Sequence, residues 1–168
     1  MKHSYVLAID PSGNFNEGKG MTGWALLDAN DLKVIKFGVI SASKFDTQEE
    51  YWAAHLELID GLLGYKPLIV VEDYMLYANR ARSQINSKLE TPRLLGAILM
   101  HAWFQGIKLI FQPAAIVKSR WTDNILVKKG VVEQDGNRIK LSNVVLVDHI
   151  KDAIRHGVHV CVFKIKDL

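Results

Sequence analysis

Leu68-Ile69-Val70-Val71-Glu72-Asp73 is the stretch on which the fold turns. Pro67 introduces it, four apolar residues follow without interruption, and two carboxylates end it. A strand with one wet face alternates apolar and polar residues. A continuous apolar run is what a strand covered on both faces requires, and parallel strands of α/β sheets sit that way. Before it, Tyr51, Trp52, Leu56, Ile59, Leu62 and Leu63 fall at helical spacing. They predict a helix over Thr47–Leu63, with Asp46 or Thr47 as its cap and Gly64 as its stop.

Three strands precede that helix. Tyr5–Asp10 reads as a buried strand, Trp24–Leu27 as a second and Val34–Ser41 as a third. Gly13, Gly18, Gly20 and Gly23 make Pro11–Gly23 a turn or loop. After Asp73 comes a loop with Tyr74, Tyr77, Arg80 and Arg82, then a helix from about Ser83 or Thr91 to Gln105, stopped by Gly106. Ile107–Phe111 is a short strand, and Pro113 opens a helix to about Trp121. Asp135-Gly136-Asn137 is a turn signal that makes Ile125–Leu141 a hairpin, and the last helix is expected over about Val144–Phe163. The pattern is a mixed α/β sheet with helices on both faces, in one domain spanning residues 1–168.

Composition agrees. Apolar residues make up 49% and charged residues 23% of 168, enough for one buried core and unlike a disordered chain. The single cysteine, Cys161, excludes a disulfide framework and points to a reducing, intracellular compartment. Val6–Ile9 is too short for a signal peptide, and Leu94–Phe104, broken by His101, falls short of the roughly 18 residues of a membrane span. A cytoplasmic protein with no membrane partner is expected. The net charge of +3 hides an asymmetry: residues 1–74 hold 6 Lys/Arg against 11 Asp/Glu, and residues 75–168 hold 15 against 7. An acidic half suits a cation and a basic half a polyanion, although a surface of solvated lysines would read the same way.

Carboxylates stand where chemistry would use them. Asp10 and Glu72 each end a strand, and ligands of open α/β sheets gather beyond the carboxyl ends of strands. If the two strands are neighbours, the carboxylates crowd and repel, and a divalent cation removes the conflict. Two such ions about 4 Å apart can activate water and stabilise the leaving oxygen of a phosphodiester. On the last helix His149 and Asp152 (i, i+3) share a face, as do Asp148 and Asp152 (i, i+4), so either pair could face the same metal. One cysteine and no paired-ligand spacing speak against zinc.

In order along the chain, Ala8-Ile-Asp-Pro-Ser-Gly, Thr22-Gly-Trp-Ala, Ile69-Val-Val-Glu-Asp-Tyr and His149-Ile-Lys-Asp-Ala-Ile-Arg-His resemble the RuvC-type Holliday junction resolvases of the RNase H-like superfamily. Leu95-Gly-Ala and Pro113-Ala-Ala-Ile-Val-Lys-Ser extend the resemblance. It implies an RNase H-like mixed five-stranded sheet and a homodimer. It also implies a Mg²⁺-dependent endodeoxyribonuclease, with Mn²⁺ as a substitute, that makes paired nicks at four-way DNA junctions in recombination and repair. The metal set carried over is Asp10, Glu72, His149 and Asp152, with histidine at a position that is acidic in many members. The longer loop Asn14–Gly20, the hairpin region Ile125–Leu141 and the short tail look more like a phage-encoded variant, which would work in the host cytoplasm.

Imidazole binds Mn²⁺ better than Mg²⁺, so His149 either shifts the metal preference or accepts the proton of the nucleophilic water. Lys118 falls on a lysine that family members use near the scissile phosphate. A second lysine has no clean counterpart, Lys128, Lys129 and Lys140 being candidates. Tyr74, Met75, Leu76 and Tyr77, beside Arg80 and Arg82, suit base stacking and phosphate contact, or Met75 and Leu76 pack on a dimer partner. With Lys118, Arg120, Lys128 and Lys129 they form the expected DNA-facing stretch. Leu99, Met100, Trp103 and Phe104 are assigned to core or dimer interface, and His156 and His159 to structure. The main alternative substrate is other branched DNA (forks, flaps) or RNA, since fold and metal ligands do not define it. An actin-like ATPase or sugar kinase needs two lobes, and a DNA-binding module without nuclease activity would not need intact Asp10, Glu72 and Asp152.

Overall fold

β1 (Tyr5–Asp10) has no residue after Tyr5 more than marginally exposed, which is possible only at the middle of a covered sheet. The computed structural model, which describes residues 3–16, 18–75 and 89–163, places it there. The sheet order is β3 (Val34–Ser41), β2 (Met21–Asp28), β1, β4 (Leu68–Glu72), β5 (Leu109–Gln112). The first three strands are antiparallel neighbours, and β4 and β5 run parallel to β1. This is the expected mixed five-stranded sheet.

Side chains alternate along each strand, so parity decides which residues meet. Val6, Ala8, Leu68, Val70 and Ile110 join one core cluster with Ile150, Ala153, Ile154 and Val158 of the last helix, α5 (Asp148–Phe163). Leu7, Ile9, Ile69 and Val71 join the opposite one. There they meet Ile59 of α1 (Gln48–Asp60) and Leu94, Leu95 and Ile98 of α2 (Glu90–Phe104). Helices therefore cover both faces. Asp10, Glu72 and Gln112 share the parity of Val6, Leu68 and Ile110, which puts all three on the α5 side.

Thr47 caps α1 in a reciprocal box with Glu50, and the helix ends at Gly61, before the expected Gly64. α2 begins at Glu90; the earlier candidate start, Ser83, lies outside the described residues. α3 (Ala114–Arg120) follows Pro113 as expected. Several expectations need correction: β2 already begins at Met21, inside the expected loop Pro11–Gly23, and β5 covers Leu109–Gln112 instead of Ile107–Phe111. Ile125–Lys128 belongs to a short helix, α4 (Asp123–Lys128), because Leu126 is completely buried in the core between the sheet and α5, and packing overrides β propensity. The hairpin is confined to β6 (Glu133–Asp135) and β7 (Arg138–Leu141), joined through Gly136-Asn137. α5 starts at Asp148, not Val144. Ser142 and Asn143 both take positive φ (49° and 66°) and turn the chain into β8 (Val144–Val145), which pairs with β7.

Leu99, Met100, Trp103 and Phe104 are 42%, 50%, 68% and 73% exposed, so they are not core residues of this chain. Among the described residues no helix is long and apolar enough to cross a membrane.

Candidate active site

Two glycines bring α5 onto the sheet. A Cβ on Gly23 would lie 2.1 Å from the His149 carbonyl carbon, and one on Gly157 would lie 2.5 Å from Leu27 Cδ1. Gly23 is the register partner of Asp10. The first turn of α5 therefore rests directly beside the end of β1, and its polar residues are delivered to the two strand-end carboxylates. Ile9 pairs with Val71, so Asp10 and Glu72 are neighbours.

One carboxylate oxygen each from Asp10, Glu72 and Asp152 lies within 4.8 Å of the other two. Asp10 is buried, while the Glu72 and Asp152 side chains keep 18% and 14% of their surface. Lys118 Nζ from α3 stands among them, 2.8 Å from Asp152 Oδ2 and 3.1 Å from Glu72 Oε2. His149 Nδ1 lies 2.7 Å from Asp10 Oδ2 and reaches the group through that contact. Asp148 lies apart from the cluster, 88% exposed and paired with Lys151 at 2.7 Å.

The electrostatics follow from this crowding. Burial, reinforced by the Glu72 charge, pushes the Asp10 carboxyl above the usual carboxylate range despite the hydrogen bond from His149. Burial also acts to raise Glu72, but the His156 hydrogen bond and the Lys118 charge outweigh it and hold Glu72 low. Burial acts to lower Lys118, and the hydrogen bond to Asp152 and the Glu72 charge reverse that. The hydrogen bond to Asp10 raises His149 against burial. Three acidic groups gathered around one ammonium, with Arg155 on Asp152, form a pocket of hard oxygen donors that keeps a net negative charge when all three are ionised. That donor set fits Mg²⁺ or Mn²⁺ and not a soft, thiolate-seeking metal.

Further residues brace the site. Arg155 binds Asp152 Oδ1 through Nη1 and Asp123 through Nη2. His156 Nε2 lies 3.0 Å from Glu72 Oε2, a contact that assigning His156 to structure alone does not capture. The signal was available: His149, Asp152 and His156 follow i, i+3, i+7, one stripe of one helix. His159 accepts from Trp121 Nε1 at 3.2 Å, in keeping with a structural role. Beyond Glu72, a cleft of about 170 Å³ is lined by Pro11, Asp73, Tyr74, Met75 and Thr91. Of the residues expected to face DNA, Tyr74 and Met75 border this cleft, and Leu76, Tyr77, Arg80 and Arg82 lie outside the described residues. Lys128 and Lys129 are exposed on α4 and just after it. Arg120 sits 4.0 Å over the Phe163 ring, and Lys129 lies 5.8 Å from that of Trp121.

No protein-family model matches the chain, and no curated protein does. Solved structures do. T. thermophilus RuvC in complex with a Holliday junction substrate superposes with a TM-score of 0.66 at 20% identity, over 93% of this chain and 91% of that one. A second structure of Thermus thermophilus RuvC gives 0.59 at 16% identity, over 92% and 90%. The architecture is thus an RNase H-like α/β fold. Within that class it is the RuvC-type arrangement, which the sequence resemblance had implied.

Proposed function

We propose that this chain is a divalent-metal-dependent endodeoxyribonuclease that resolves four-way DNA junctions by paired nicks on opposing strands. The observation that carries the reading is the convergence of Asp10, Glu72 and Asp152 from three separate elements to within 4.8 Å. Nothing in packing rewards three buried or half-buried carboxylates at one point. The fold it shares with a resolvase solved on its junction supports the substrate class.

In this reading Asp10, Glu72 and Asp152 hold the cation, with His149 beside them. Bound there, Mg²⁺ or Mn²⁺ would supply Lewis acidity for water and phosphate. His149 donates from Nδ1 to Asp10, which in the neutral ring leaves Nε2 to accept the proton of the attacking water. Lys118 offers its ammonium to charge developing on phosphate oxygens. Tyr74 and Met75 at the cleft stack on or wedge between bases, and the basic stretch with Arg120, Lys128 and Lys129 follows the backbone, so that binding weakens steeply with salt. The exposed apolar face of α2 with Leu99, Met100, Trp103 and Phe104 pairs two copies, which sets two sites for two strands.

The test offers purified protein a four-way junction, a fork, linear duplex and an RNA–DNA hybrid, with and without Mg²⁺ or Mn²⁺. Paired nicks on the junction alone, lost in Asp10→Asn by at least about 10²-fold, are expected. Hydrolysis of the hybrid alone, or cleavage indifferent to Asp10→Asn, would overturn the reading. Cutting of forks and flaps as fast as junctions would move it to general branched DNA.

A further inference from the structure

His156, two turns into α5, is fully buried and touches side chains from two strands. Its Nε2 lies 3.0 Å from Glu72 Oε2, and its Nδ1 lies 2.7 Å from the Gln112 side-chain amide at Oε1. An ionised carboxylate only accepts, so Nε2 carries the hydrogen and donates to Glu72, and Nδ1 of the neutral ring accepts from the Gln112 side-chain amide, whose N–H end is the one that must face it. Gln112 is the register partner of Glu72 and is itself 1% exposed. Burying an imidazole and an amide has a desolvation cost that a leucine or methionine of similar size would not carry. The hydrogen-bonded pair ends on Glu72.

We propose that His156, steadied by Gln112, is a positioning residue that fixes the Glu72 carboxylate for cation binding; this rests on the reading of the three carboxylates as a cation site. Glu72 is the long side chain of the three. Asp10 is immobilised by burial and by His149, and Asp152 is gripped by Arg155 on one oxygen and Lys118 on the other. Glu72 shares Lys118, but that side chain is 38% exposed and is the group asked to turn toward phosphate. His156 is the partner that stays. Holding Oε2 from the buried side, it orients the carboxylate toward Asp10 and Asp152. Without it Glu72 samples other rotamers, and each binding event must first order them. Hydrogen bonds of this kind behind metal-ligating groups are worth about 10–100-fold in metal affinity.

The experiment titrates Mn²⁺ into the DNA-free protein and follows the free ion by electron paramagnetic resonance. Wild type is compared with Asp10→Asn, His156→Leu, His156→Gln and Gln112→Met, each checked for folding by circular dichroism. His156→Leu is expected to weaken Mn²⁺ binding by about 10–100-fold. His156→Gln, whose amide N–H reaches the place of Nε2, is expected to restore most of that loss. Gln112→Met is expected to weaken binding by less, and to add nothing in the His156→Leu background. Unchanged affinity in a folded His156→Leu overturns the proposal, as does an equal loss in the Leu and Gln variants, which would mark a packing defect. If His156→Leu fails to fold, Gln112→Met decides, and unchanged affinity there overturns the proposal. Wild-type binding that ignores Asp10→Asn would instead remove the cation-site reading beneath it.

Discussion

The ammonium of Lys118 lies 2.8 Å from Asp152 Oδ2, and that contact fills the negative pocket with protein charge. Because the same ammonium reaches Glu72, it holds two carboxylates together that would otherwise repel. A divalent cation entering between Asp10, Glu72 and Asp152 competes with it.

Lys118→Ala should therefore separate binding from turnover. With the ammonium gone, the carboxylates bind Mg²⁺ or Mn²⁺ more tightly in the DNA-free protein, by about 5-fold, the scale of roughly 1 kcal/mol for a partly exposed, solvent-screened pair. At saturating metal, kcat on a four-way junction falls by about 10²-fold, because the charge facing phosphate is lost. Calorimetric titration and single-turnover cleavage read the two effects. Weaker metal binding in the variant would show that Lys118 only organises the carboxylates.

Gly23→Ala tests how α5 is delivered to the sheet. The added Cβ meets the backbone of His149 at 2.1–2.2 Å, and backbone cannot swing aside as a side chain can. The first turn of α5 must lift, carrying His149 and Asp152 away from Asp10. A loss of about 3 kcal/mol in urea unfolding is expected, with junction cleavage falling further than the folded fraction explains. Gly64→Ala is the control: no atom lies within 4 Å of the new Cβ, and stability should stay within about 0.5 kcal/mol. Equal effects at both positions would mean that α5 approaches the sheet less closely.

These contacts show what the sequence could and could not disclose. The strands Tyr5–Asp10 and Val34–Ser41 were legible over their full observed span, the first as a short buried apolar run and the second, a largely half-exposed edge strand, through its Val, Ile and Phe residues. Asp10, Glu72 and Asp152 were legible because each closes a strand or opens a helix within a recognisable motif. Leu126 shows the limit. Ile125-Leu126-Val127 has strand composition, and only the core that receives Leu126 makes it helical. Gln112 and Arg155 were illegible for a related reason. Their partners, His156 and Asp123, lie 44 and 32 residues away, and the pairing depends on where α5 lies across the sheet.

A last relationship links the loop after Asp10 to α1 and predicts a pH effect. His55 is fully buried, and its Nδ1 donates to the Tyr51 carbonyl at 2.8 Å. Its Nε2 accepts from the Thr22 hydroxyl at 2.8 Å, and the Thr22 oxygen in turn accepts from the Ser12 N–H at 3.0 Å. A second proton, on Nε2, would meet a hydroxyl that already donates to it, and Thr22 would have to turn its hydrogen away toward Tyr51 Oη at 3.5 Å. Burial holds the imidazole down at about 4, against the pull of backbone hydrogen bonds, while an unfolded histidine titrates near 6.5. Between those values the unfolded chain binds a proton that the native state refuses, so stability is full above about pH 6.5 and drains as pH falls toward 4. The loss between pH 7.5 and 4.5 should be about 2–3 kcal/mol from this group. Other ionisable groups also respond to acidification, so urea unfolding at both pH values is compared between wild type and His55→Gln, where their contributions cancel. The variant should lose about 2–3 kcal/mol less on acidification, and an identical loss would mean that His55 accepts its proton without unfolding.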